Sequence, residues 1–254
     1  MSSKSYLTAP VVFVIGVLAL LATWFVMEPA ALHHAFDQDG YSPFELATVP
    51  FYAIIVPLVW WKCPFTGSRA RRTLLCAAVS CVALMAVVKE LDLHVMAMHG
   101  LFPEVVKPDG SVYGLVKPNG EALAGTPFKM RFLTNGGAPL GAKALVLAYF
   151  ALFFGVFGVT LAYFAKDLVM GFFRKVPPAW SMCCFGAAGV MVQLCDRMPA
   201  WVRHIRHLPK PSGDEVDAVS SLFTALEEGG EMLIAIFAII AILQAHKLYA
   251  KNGQ

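Results

Sequence analysis

The chain has 254 residues, of which 58% are apolar and 15% charged, with a net charge of +3. A soluble domain is about 45–50% apolar even with glycine counted, and about 25% charged. The composition therefore excludes an ordinary soluble globule, and it excludes disorder, which needs low hydrophobicity and high charge. Such a small net charge, with no basic block interleaved with aromatics, gives no footing for nucleic-acid binding. An integral membrane protein remains.

A membrane helix needs about 20 mostly apolar residues to cross ~30 Å of hydrocarbon. The first span, about 8–27, lies in a stretch without charge from Ser5 to Met27. Its apolar region exceeds the roughly 7–15 residues of a signal peptide, so it is read as an uncleaved helix. The second, about 44–61, contains Pro50 and Pro57, which should kink it. The third runs from about 73 to 94. The fourth, about 143–165, carries Gly155 and Gly158, and the fifth, about 178–196, carries Gly186 and Gly189. Small residues allow close helix contact in lipid, so these four glycines are expected to face other helices, or a second subunit in a homo- or hetero-oligomer. The sixth runs from about 218 to 246.

Lys4, Lys62, Arg69, Arg71, Arg72, Lys166, Arg174, Lys175, Lys247 and Lys251 fall on one side of this six-span arrangement, with Asp167 as the single acid. The positive-inside rule then puts both termini in the cytoplasm of an inner, cytoplasmic membrane. The chain reads as one polytopic domain, 1–254, with an extracytoplasmic loop insertion at 100–140. Within it, Val106-Lys-Pro-Asp-Gly110 recurs as Val116-Lys-Pro-Asn-Gly120. Both are turn sequences, with proline presetting φ and glycine taking the left-handed position. The β-prone SVYGLV between them predicts a small β-meander over about 103–126. The expected fold is thus an all-α six-helix transmembrane bundle with a small β element outside. The six cysteines include no CxxC pair and predict no disulfide framework.

The informative residues are charges that lipid should exclude. Glu231 lies 16 residues before Lys247, about 24 Å along a helix, with Glu228 and Glu227 near 28 and 30 Å. At 100° per residue Glu227, Glu231 and Glu228 fall at about 0°, 40° and 100°, on one face, with Gly229 and Gly230 opposite. Like charges so close need cations, shared protons or basic partners, and ionisable groups at this depth are functional candidates. On the third helix, Lys89-Glu-Leu-Asp-Leu-His94 reaches a similar depth, since Glu90 lies 18 residues, or about 27 Å, beyond Arg72. On a continuous helix Glu90 and His94 form an i,i+4 pair suited to a divalent metal or to acid–base work.

The expected site therefore has Glu227, Glu231 and His94 as metal ligands, with Glu228, Glu90 and Arg197 as catalytic groups. Lys89, Asp92, Asp196 and Glu45 surround them. Arg197 is the expected charge partner of the glutamates or of a substrate phosphate or carboxylate. His94 through His99 with two methionines also resembles a copper ligand set. There is no HExxH, GxSxG, P-loop or EF-hand loop. The favoured function is a hydrolase or transferase that uses one divalent metal ion on a lipid or lipid-linked substrate at the outer leaflet. The alternatives are a non-catalytic subunit of a membrane complex and a cation- or proton-coupled carrier. Against the carrier, no charge continues a path through the inner half of any span.

Overall fold

A computed structural model describes residues 5–36, 42–105, 111–116, 122–124, 128, 130–134, 138–206 and 218–251. Its helices are α1 (Thr8–Val26), α2 (Pro29–Phe36), α3 (Pro43–Lys62), α4 (Arg69–Glu90), α5 (Leu93–Leu101), α6 (Met130–Thr134), α7 (Leu140–Phe173), α8 (Pro177–Arg206) and α9 (Ala218–Lys251). Six of them, α1, α3, α4, α7, α8 and α9, are long and apolar enough to cross a membrane. The chain is a multi-pass membrane protein.

Local chemistry places several boundaries. Ser42 opens α3 with a reciprocal capping box: its hydroxyl accepts from the Glu45 backbone, and the Glu45 carboxylate accepts from the Ser42 N–H at 2.8 Å. Pro43 follows at the first helical position, where its missing N–H costs nothing. Helix α3 continues through Pro50 and Pro57 and stops at Cys63, whose φ of 35° is left-handed. Gly67, at φ 109°, makes the turn into α4, a conformation that favours glycine.

Helix α9 is the hub, packed by α1, α2, α3 and α8. Its buried residues, among them Ala225, Gly229, Gly230, Leu233, Ala235 and Phe237, point all round rather than along one stripe. That is the pattern of a helix enclosed by others. A shared core joins Tyr52, Ile55 and Val59 of α3 to Cys76 and Ala83 of α4 and to Ala235 and Ile242 of α9. Helix α7 is peripheral: of its 34 residues only Ala142, Val146 and Gly171 are buried.

The glycine expectation is corrected. A side chain on Gly155, Gly158, Gly186 or Gly189 would meet nothing within 4 Å. Close contacts lie at other glycines: Gly229 of α9 faces Leu20 of α1, Gly230 of α9 faces Val192 and Met191 of α8, Gly16 of α1 faces Leu233, and Gly171 of α7 faces Ala179.

The small β element is present as two strands among the described residues. Ser111–Val116 (β1) and Ala122–Ala124 (β2) form a two-stranded antiparallel sheet with an irregular register. Pro103–Val105, where a further strand would begin, is a 3-10 turn, in keeping with proline's inability to donate to a ladder. The two Pro-Asx-Gly turns, at 108–110 and 118–120, lie outside the described residues. The segment between α4 and α7 has a small core of its own, in which Met98, Val105, Phe132 and Ala138 join Ala142 and Val146.

Candidate functional site

Two helices deliver the carboxylates. Glu90 is the last residue of α4, and Glu228 and Glu231 lie one turn apart on α9. One oxygen of each lies within 4.8 Å of the other two. Helix α3 packs against both α4 and α9, and its Tyr52 hydroxyl donates to the Glu231 backbone carbonyl at 2.9 Å. That bond satisfies a buried phenol and fixes the α9 backbone beneath the cluster.

Lys89 provides the positive charge. Its ammonium donates to both carboxylate oxygens of Glu231 and lies 3.4 Å from Glu90 Oε1. The Lys89 side chain is 51% exposed, whereas those of Glu231 and Glu90 are 11% and 2% exposed. The lysine therefore reaches inward from the surface, its stem along the bundle and its head on the acids. With all groups ionised, three carboxylates face one ammonium.

Several expected members fall elsewhere. Helix α4 ends at Leu91, and Asp92 takes a left-handed φ of 47° before α5 begins. This break removes the i,i+4 relation between Glu90 and His94. The His94 ring instead stacks on Tyr149 (5.3 Å between centroids) and meets Phe128 edge-on at 4.5 Å. Its Nδ1 lies 3.3 Å from the Val88 carbonyl, which can only accept, so that nitrogen carries the proton. Burial pushes the imidazole below its ordinary range, opposed by the Val88 bond and by Asp92. His94 is thus an aromatic-packed histidine, apart from the three carboxylates.

Asp92 is exposed and caps nothing with its side chain. The expected copper set does not gather: Met98 is fully buried in the core between α4 and α7, while Met96 and His99 are exposed. Arg197 pairs with its neighbour Asp196 at 3.0 Å, and both are well exposed on α8. Being adjacent on α8, the two point outward together, and Lys89 takes the role expected of Arg197. Glu227 lies within electrostatic range of Cys195 and is not one of the three converging acids. Glu45 is held in the α3 capping box, within electrostatic range of Glu228. Asp37, Asp39 and His207 lie outside the described residues.

Two polar features carry no charge and so escaped a reading based on charge. One is Tyr52; a tyrosine inside a span needs a partner for its hydroxyl, and that requirement was the available signal. The other is at the end of the bundle away from the carboxylates, where Ser181 of α8 donates to Gln244 of α9 at 2.7 Å and the Gln244 amide donates to the Ser5 carbonyl at 3.4 Å.

No protein-family model matches the chain, and no curated protein or solved structure is significantly similar to it. The fold and the cluster define the class: a six-span integral membrane protein in which three carboxylates, two of them buried, meet a half-exposed lysine at one end of the bundle.

Proposed function

We propose that Glu90, Glu228 and Glu231 hold a hard divalent cation, and that the protein is a hydrolase or transferase acting on a lipid or lipid-linked substrate at the outer leaflet of the inner membrane. The observation that carries this reading is the convergence of three carboxylates from two helices against a single ammonium. Among the described residues no further cation makes an ion pair with the set, and an all-oxygen donor set suits magnesium, calcium or manganese. A bound ion of this kind supplies Lewis acidity and an activated water. The chain's own groups do the rest. Tyr52 holds the α9 backbone, and Glu228, which makes neither Lys89 contact, is the acid best placed to accept a proton. Lys89, half exposed, can turn from Glu231 toward a substrate phosphate, the part first assigned to Arg197.

Removing chelatable metal from the purified protein and titrating Mn²⁺ tests the proposal. Wild type should take up about one ion per chain and melt higher when loaded, as any ligand specific for the folded state requires. Glu228→Gln should lose at least tenfold in affinity while keeping a folded, monodisperse protein. No uptake of Mn²⁺, Mg²⁺ or Ca²⁺ by wild type ends the metal reading. The second reading, a non-catalytic subunit of a membrane complex, is favoured by the doubly bonded Lys89–Glu231 pair, which serves as a helix-to-helix tie without any metal.

The orientation belongs to the same proposal. By sequence the terminal side carries ten basic residues and one acid, against ten basic residues and sixteen acids on the carboxylate side; that imbalance supports cytoplasmic termini and an outward-facing cluster. Reporter fusions after Gly67 and after Asn119 should report opposite sides of the membrane, and the same side for both refutes this topology.

A further inference from the structure

All six cysteines are free. Among the described residues, Cys63 and Cys76 are the two whose thiols meet. Their sulfurs lie 4.0 Å apart, and the Cys76 sulfur is also 3.5 Å from the Val59 carbonyl. The pair bridges a helical hairpin: Cys63 closes α3, and Cys76 lies two turns into α4. Cys63 has a left-handed φ of 35°. Helices commonly end on such a residue, and glycine ordinarily fills the position because a β-carbon is crowded there. A cysteine in its place puts a thiol at the helix end, and that thiol falls beside Cys76.

Exposure divides the pair. Cys76 is 2% exposed, whereas Cys63 is half-buried. Cys63 follows Lys62 at the end of its span, and Cys76 stands four residues beyond Arg72, about 6 Å of helix rise. Both thiols are therefore close to the membrane edge, and a reagent in water reaches Cys63 first. An accessible thiol in contact with a buried one is the arrangement of an attacking and a resolving cysteine. A side-chain movement of about 2 Å takes the two sulfurs from contact to bonding distance.

We propose that Cys63 and Cys76 are a reversible disulfide site, oxidised by exchange with a low-molecular-weight disulfide. The Cys63 thiolate attacks one sulfur of the small disulfide, whose sulfur–sulfur bond breaks and releases the first small thiol. The Cys76 thiolate then attacks Cys63 Sγ in the mixed disulfide, and the second small thiol leaves. The two protein thiols lose two electrons and two protons, and the small disulfide takes up both as it becomes two thiols. The product ties the end of α3 to α4. The site is separate from the carboxylate centre, which lies at the other end of α4.

Glutathione disulfide added to the reduced full chain in phosphatidylcholine nanodiscs tests the assignment. Remaining thiols are alkylated, and the cysteine peptides are mapped by mass spectrometry. Wild type should yield a Cys63–Cys76 bridge with the other four thiols alkylated, and dithiothreitol should restore both. Cys76→Ser should stop at a stable mixed disulfide of glutathione on Cys63. Cys63→Ser should slow the loss of the Cys76 thiol by about tenfold or more, because the buried sulfur is no longer reached through its neighbour. The wild-type map does not depend on either variant folding. A wild-type chain that forms no bridge, retains glutathione on Cys63, or bridges either cysteine to a different one overturns the proposal. So does oxidation of Cys76 at the wild-type rate in Cys63→Ser.

Discussion

Glu231→Gln should lower the stability of the folded protein by about 2–4 kcal/mol. Breaking a fully buried ion pair costs roughly 3–5 kcal/mol, because the surviving charge is left without compensation. Here the survivor is Lys89, whose side chain is 51% exposed, so solvent screening reduces the loss. Glu90 at 3.4 Å retains part of the interaction. The amide preserves volume, so packing should be unchanged and the whole effect electrostatic. Denaturant titration in a fixed detergent, with thermal melting alongside, measures it. Lys89→Met gives the complementary result. It leaves three converging carboxylates without their ammonium, and added Mn²⁺ should then raise its melting temperature more than that of wild type. Glu227→Gln, at a position outside the three converging acids, should cost less than either. The reverse ranking of Glu227 and Glu231 would show that the cluster does not hold the helices together as described.

The second large effect concerns packing. Gly230→Leu should destabilise by about 1–3 kcal/mol or more, as overpacking does when neighbours cannot yield. A β-carbon there would lie 2.6 Å from Val192 Cγ2 and 3.0 Å from Met191 Cε. Valine is branched and stiff, and Val192 is itself buried on α8, so α8 and α9 would have to separate. Gly155→Leu and Gly186→Leu should stay within about 0.5 kcal/mol of wild type, the usual range for open surface positions. Yield, elution profile and melting temperature distinguish the two classes. Loss of folding in Gly155→Leu would mean that its open face is covered in the native assembly.

Much of the architecture was legible in the amino-acid sequence, because lipid imposes simple rules. A span must be long and apolar, and its charges must collect at its ends. Six apolar stretches therefore predicted six spanning helices, each within a few residues to about ten at its ends. The glutamates of α9 and the Lys89–Glu90 pair were legible for the same reason, since charge at that depth is costly enough to stand out. Helical spacing also put Gly229 and Gly230 away from the acids, where α1 and α8 pack.

Other features depend on tertiary structure. Helical phase assumes a continuous helix, and the left-handed Asp92, two residues beyond the end of α4, breaks that continuity, sending His94 to an aromatic site and leaving Glu90 with the acids. Spacing along α9 put Glu227, Glu228 and Glu231 on one face, but a face about 100° wide is shared by two neighbours. Glu228 and Glu231 converge with Glu90 at the end of α4, and Glu227 is not part of that group. The choice of Lys89 over Arg197 follows from where each side chain can reach. Adjacent Asp196 holds Arg197 at the exposed edge of α8, and the flexible four-carbon stem of Lys89 reaches the carboxylates. Sequence alone determined which residues lipid would force together or exclude. Packing determined which helices became neighbours, and therefore which charge meets which.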